Sequence, residues 1–297
     1  MDTAPRQLLF ACDFEERSLA ARDALAALAP ALHASVLLVH VQLSRWESWL
    51  SSGLLDRQRQ DRLETWAEWL RERGVEARAE VVLSSEAASA LATVADREQV
   101  YAIVCADAEY PEGKGRFEDR TVENLARLAH QPVWVHKTRQ DRPHLPRRIL
   151  CGVDPSEPSR EALRLAVELA AQLGAAVDVV QAVSHPEVSL LGASPQEGER
   201  VHEEHKRRAE EQLRQRVVGS GLSPSAAQVQ WGHAADVLLA RARDEDVDLV
   251  VLGPGRGGAL KRLVLGSTAG RVLYEAPTSV LLIGEGQLER PAADPPR

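Results

Sequence analysis

The residues best suited to chemistry lie late in the chain, where Gly253-Pro-Gly255-Arg256-Gly257-Gly258 leads through Lys261-Arg262 to Gly266-Ser267-Thr268. The run follows an apolar segment ending at Leu252 and precedes a helical pattern. Glycines uncover backbone N–H groups and permit positive φ, so such a loop can fold around phosphate oxygens. The free N–H groups of the following helix add positive potential, and Ser267 and Thr268 add hydroxyl donors. Two phosphate signatures are excluded. Gly253, Gly255 and Gly258 fit G-x-G-x-x-G, but that fingerprint belongs after the first strand of a dinucleotide fold, with an acid about 20 residues further on. Walker A requires Lys after its last glycine, and Ala259 follows Gly258.

Other candidates carry a structural reading beside the chemical one. Asp154 and Asp13 each end a short apolar run, which suits a ligand contact; Asp154-Pro-Ser is equally good turn chemistry, with Ser156 or Ser159 starting a helix. Gly266-Ser267-Thr268 can serve as a helix N-cap as well as a phosphate site. His202-Glu-Glu-His205 has i, i+3 spacing, not that of a zinc helix, and reads as a solvated face. Trp46, Trp49, Trp66 and Trp69 read as packing, with a ligand cavity as the alternative. Cys12, Cys105 and Cys151 lie in or beside apolar runs without C-x-x-C spacing, as buried thiols would. No Ser-His-Asp order, paired-carboxylate signature or Cys-His constellation stands out.

The elements that must position these residues are written twice. Gln7-Leu-Leu-Phe-Ala-Cys-Asp13 is echoed by Arg148-Ile-Leu-Cys-Gly-Val-Asp154. In each half the Asp is followed by an amphipathic helical stretch, Ser18 to Leu32 and Ser159 to Leu173, and then by a second strand, Ser35 to Val41 and Ala176 to Val183. Charged helices at Leu54 to Arg73 and Gln196 to Val218 precede third strands at Glu76 to Leu83 and Ala227 to Trp231. Short helices, Ser85 to Glu98 and Ala235 to Asp246, lead to fourth strands, Tyr101 to Cys105 and Asp248 to Leu252. A last helix and strand close each unit, Thr121 to Ala129 with Val133 to His136, and Thr268 to Glu275 with Val280 to Ile283. Five strands alternating with four helices predict an α/β doubly wound parallel sheet in each of two tandem domains. The expected division is residues 1–139, a linker at 140–146, residues 147–285, and a disordered tail at 286–297. In such sheets a ligand lies beyond the carboxyl ends of the strands where strand order switches, which is where Asp13, Asp154 and the fourth-strand loops fall.

The whole chain resembles a tandem member of the universal stress protein family, two UspA-type, Rossmann-like domains in one polypeptide. That resemblance implies ATP or a related adenine nucleotide, with Mg2+, on a motif like G-x2-G-x9-G-(S/T), and an Asp at the end of the first strand near the adenine. Asp154 matches that Asp and would be the residue nearest a metal; Gly253 matches the first glycine, and Gly266 with Ser267 the closing pair. Ala182 matches the position whose backbone contacts the base, with Val153, Leu252 and Thr268 beside these contacts. The middle glycine falls on Arg256. Either Gly255 or Gly257 serves in a loop slipped by one, or the Arg256 guanidinium reaches the phosphates. The family also pairs fifth strands into dimers, so Val133 to His136 and Val280 to Ile283 are expected to pair within one chain as a pseudo-dimer, with further dimerisation open.

In the first half, Ala106, Asp119 and Arg120 stand where the second has Gly253, Gly266 and Ser267, and five acidic residues lie between Asp107 and Asp119. Carboxylates repel phosphate in a site of reduced dielectric. This half is expected not to hold ATP in the family's manner. Charge is spread evenly, 18 basic and 23 acidic residues to position 145 against 18 and 21 after it, with no basic stripe for nucleic acid or an anionic membrane. The apolar runs are strand-sized, too short to span a bilayer, and the start of the chain lacks a signal-peptide pattern, so the cytoplasm is the expected location. The expectation is a stress-response binding protein holding ATP in its second domain. A nucleotide-independent scaffold for an apolar ligand or protein partner, and a slow ATPase, are the alternatives.

Overall fold

The computed structural model describes residues 6–43, 52–107, 121–137, 145–184, 195–244, 246–255 and 265–283. The first half runs β1 (Arg6–Ala11), α1 (Glu16–Ala31), β2 (Ala34–Leu43), α2 (Ser52–Arg71), β3 (Ala77–Ser84), α3 (Ala87–Arg97), β4 (Ala102–Ala106), α4 (Thr121–Leu128) and β5 (Val133–His136). The second repeats it as β6 (Arg148–Val153), α5 (Glu157–Leu173), β7 (Ala176–Val183), α6 (Pro195–Gly219), β8 (Ala227–Trp231), α7 (Ala234–Asp244), β9 (Leu249–Leu252), α8 (Ser267–Glu275) and β10 (Ser279–Leu282).

All ten strands form one sheet in the order β3-β2-β1-β4-β5-β10-β9-β6-β7-β8. Pairing is parallel within each half, as right-handed crossover helices require. At the centre β5 and β10 pair antiparallel, with Leu281 opposite Trp134, so the fifth strands join the halves as expected.

Successive strand residues face opposite sides; the central strands are apolar on both, and the edge strands β3 and β8 are only partly buried. Leu8 and Phe10 pack with Leu38, Ile149 and Leu163 under α1, α2, α5 and α6. Leu9 packs with Leu37, Leu125, Leu150 and Val272 under α3, α4, α7 and α8. Each fully buried side chain of this kind contributes about 1.5–3 kcal/mol. Both layers run through both halves, so the pseudo-dimer shares a continuous core. Cys12, Cys105 and Cys151 are buried free thiols, as their apolar surroundings in the sequence predict.

Candidate functional site

In the second half β6 and β9 are neighbours, with Gly152 opposite Leu252, and their chains leave in opposite directions toward β7 and β10. That divergence opens a crevice at the carboxyl ends. Asp154 stands on one side of it. Its Oδ1 accepts from the Ser156 amide at 2.9 Å and from the Ser156 hydroxyl. Its own amide donates to Ser159 Oγ at 2.7 Å, and its carbonyl accepts from Arg216 Nη1 of α6 at 2.6 Å. The turn role foreseen for Asp154 is therefore real, and it fixes the carboxylate at the crevice.

Gly253, Pro254 and Gly255 leave β9 on the other side. Gly255 has φ +99°, and a Cβ built on it would lie 3.0 Å from the Cα of Gly266. A Cβ on Gly266 would lie 2.9 Å from the Pro254 carbonyl oxygen, which accepts from the Gly266 amide at 3.0 Å. The chain on either side of segment 256–264 is thus pinned backbone to backbone, a contact only two glycines permit. Gly266 is also the N-cap of α8. The first N–H groups of a helix have no intrahelical acceptor, and the first turn of α8 carries no acidic residue, so the positive end of its dipole is uncancelled there.

These pieces enclose a cavity of about 710 Å³. Val153, Asp154, Ala182, Leu252, Gly253 and Gly255 line it, and so do Gly266, Ser267 and Thr268. Arg256 and Gly257, the other two candidates, lie outside the described residues.

The opposite wall was missed by the sequence reading. His205, Arg208 and Gln212 project from one face of α6 into the same cavity. His205 is exposed, in keeping with the solvated face expected there, and also forms part of the cavity wall. Both imidazoles stand in T-shaped contact with Trp231, with centroids at 5.7 Å for His202 and 6.1 Å for His205. Arg208 pairs with Glu204 at 2.5 Å. The signal was the stripe Ala209, Leu213 and Val217, all buried, which fixes the neighbouring stripe 205–208–212. Among the described residues no cluster of three or more His, Cys, Asp or Glu can hold a metal ion.

The matching end of the first half is built differently. Asp13 Oδ1 accepts from the Glu15 amide at 2.9 Å and from the Ser18 hydroxyl, a turn like that of Asp154. Past β4, where the second half has Pro254, Asp107 is paired to Lys137 at 3.6 Å. Trp66 packs in the core against Phe10 and Phe14, with ring centroids at 6.3 and 5.4 Å, and Trp69 is held between the guanidinium groups of Arg22 and Arg73. Packing is the role of these two tryptophans; Trp46 and Trp49 lie outside the described residues.

The universal stress protein family model matches residues 5–137 and again 146–284, and the chain belongs to that family with two tandem domains. A relative from Thermus aquaticus, described as a universal stress protein in the QAH/OAS sulfhydrylase 3′ region, is 32% identical over 135 residues, 46% of this chain and 96% of that protein. Among solved structures, a functionally unknown protein from Pseudomonas aeruginosa PAO1 shares the fold with TM-score 0.72 at 20% identity, covering 96% of this chain and 94% of that one. A universal stress protein from Archaeoglobus fulgidus DSM 4304 gives TM-score 0.70 at 17% identity, covering 94% and 98%. No helix among the described residues is long and apolar enough to cross a membrane.

Proposed function

We propose that the chain is a stress-response binding protein of the cytoplasm whose second half holds one adenine nucleotide, ATP carried with Mg2+. The first half, dividing from it at residues 140–146, is then a structural partner that does not bind ATP in this manner. The observation that carries the reading is the convergence of Asp154, Ala182 and the pinned glycines Gly255 and Gly266 on one cavity that also receives the first turn of α8. That turn supplies uncancelled positive potential and the Ser267 and Thr268 hydroxyls for phosphate oxygens. Val153 and Leu252 give an apolar floor, Ala182 a backbone edge for the base, and Arg256 or Gly257 further phosphate contacts.

Mg2+ would be carried on the phosphates, and Asp154 is the side chain proposed to meet its hydration shell, the metal helping to neutralise the phosphate charge. The nucleotide acts as an ordering ligand. By mass action it stabilises the fold by about 2.7 kcal/mol at a hundredfold excess over Kd. Mass spectrometry of small molecules released on denaturing the purified protein tests the assignment, with Gly266→Asp as comparison. An adenine nucleotide from the wild type and none from the variant is expected; an unrelated ligand released from both contradicts it.

A further inference from the structure

We infer that Lys137 and Glu123 of the first half are positioning residues for the second half's site, gripping α8 at the end opposite Gly266 and Ser267. The inference rests on the nucleotide reading above. At nine residues, α8 is about 13 Å long and too short to hold itself, so its placement comes from what it packs against. Within its own half, Ala269, Val272 and Leu273 are buried and Arg271 pairs with Asp236 of α7 at 2.9 Å.

Two further contacts come from the other half. Lys137, at the end of β5, donates from Nζ to the Tyr274 carbonyl at 3.2 Å and the Ala276 carbonyl at 3.0 Å, and faces Asp107 Oδ2 at 3.6 Å. The Tyr274 hydroxyl donates to Glu123 Oε2 of α4 at 2.9 Å. A cation over the last carbonyls of a helix is favoured by its dipole; two carbonyls accept from the Lys137 ammonium and the Asp107 carboxylate stands beside it as counter-ion. The Lys137 side chain is 7% exposed. Burying a charge so deeply is a poor way to gain stability alone.

The pseudo-twofold would repeat each contact on α4, where the equivalent positions carry other residue types. An offset of 147 carries Lys137 to Gly284, Asp107 to Pro254, Glu123 to Gly270 and Tyr274 to Arg127, residue types that cannot form the same bonds. The grip is one-sided, from the half without the glycine loop onto the helix of the half that has it. Amide–oxygen hydrogen bonds weaken steeply with distance and angle, so small displacements of α8 fall on phosphate contacts. The base end, lined by β7 and α6, is untouched.

The test is calorimetric titration of the full chain with ATP and with adenosine, for the wild type, Lys137→Met, Tyr274→Phe and Arg6→Met. Arg6→Met breaks a cross-half ion pair to Glu168 that does not touch α8. Lys137→Met is expected to weaken ATP roughly fivefold, the scale of a charge at a helix end, and Tyr274→Phe about twofold, with adenosine unchanged in both. Arg6→Met should leave both ligands unaffected. In ligand-free protein, amide hydrogen exchange over Gly270–Glu275 should quicken in Lys137→Met and not in Arg6→Met. Unchanged ATP affinity in Lys137→Met, or parallel loss of ATP and adenosine there, overturns the inference. If Lys137→Met does not fold, Tyr274→Phe carries the same comparison. Failure of the nucleotide reading shows in the wild type, which then binds no ATP and removes the inference with it; failure of the grip alone shows only in the variants.

Discussion

Gly255 and Gly266 approach so closely that a Cβ on the first would stand 3.0 Å from the Cα of the second. Both substitutions meet backbone, which cannot yield as a flexible side chain would. Gly266→Ala should therefore cost about 1–3 kcal/mol of stability, and Gly255→Ala, strained in addition by φ +99°, at least as much. Gly270, inside α8, meets only the Leu265 Cδ2 at 4.0 Å, so Gly270→Ala should stabilise by about 0.5–1 kcal/mol. Thermal unfolding of the three variants checks the contrast in sign.

Asp154 serves its turn and, on the proposed reading, the metal–nucleotide. Asp154→Ala removes the acceptor for the Ser156 amide and should cost about 1 kcal/mol even without ligand. Asp154→Asn keeps an oxygen acceptor and should stay within about 0.5 kcal/mol of wild type while flattening the Mg2+ dependence of ATP affinity. Denaturant unfolding paired with titrations at several Mg2+ concentrations separates the two roles; equal Mg2+ dependence in Asp154→Asn and wild type would remove Asp154 from the metal's surroundings.

Burial pushes the thiols of Cys12, Cys105 and Cys151 up to about 12. At pH 8 such a group is about one part in ten thousand thiolate, and the thiolate is the nucleophile. Native protein should resist alkylation, and all three cysteines should react once guanidinium unfolds the chain. Rapid labelling of any one in the native state would show an opening that the closed core does not contain.

Burial lowers the Lys137 ammonium from its ordinary 10.5, partly opposed by Asp107. Its folded-state value lies below its unfolded value, so within that window the unfolded chain binds more protons and stability rises with pH. Relative to Lys137→Met, the wild type should gain stability as pH climbs toward 10.5 and hold a constant difference below the window. Chemical denaturation of both proteins at alkaline and neutral pH measures this; a wild-type advantage that shrinks on the alkaline side contradicts the buried charge.

The two halves differ in how much could be read from residues alone. The runs Ala176 to Val183, Ala227 to Trp231 and Val133 to His136 coincide with β7, β8 and β5; the central strand β5 is marked by its apolar Val133-Trp134-Val135, and the edge strand β8 by Ala227, Val229 and Trp231 alternating with Gln228 and Gln230. Helix starts were less legible: α1 begins at Glu16 and not Ser18, since its N-cap Glu15 makes no side-chain cap that a motif would mark. The Asp154 and glycine walls of the cavity were legible because strand ends and glycine loops are local signals, with Ala182 supplied by the family resemblance. His205, Arg208 and Gln212 did not, because α6 is charged over most of its surface and only its crossing over β7 decides which polar stripe faces inward. The contact of Lys137 with α8 was invisible for a plainer reason: its partners lie 137 and 139 positions away.

The central claim is one nucleotide per chain, held by the second half. Calorimetric titration of ATP with Mg2+ into ligand-free protein reads that stoichiometry directly. The account predicts a single site near one per chain, abolished in Gly266→Asp and unaltered in Asp13→Asn. Two sites per chain would restore nucleotide binding to the first half, and no binding at millimolar ATP would contradict the nucleotide reading altogether.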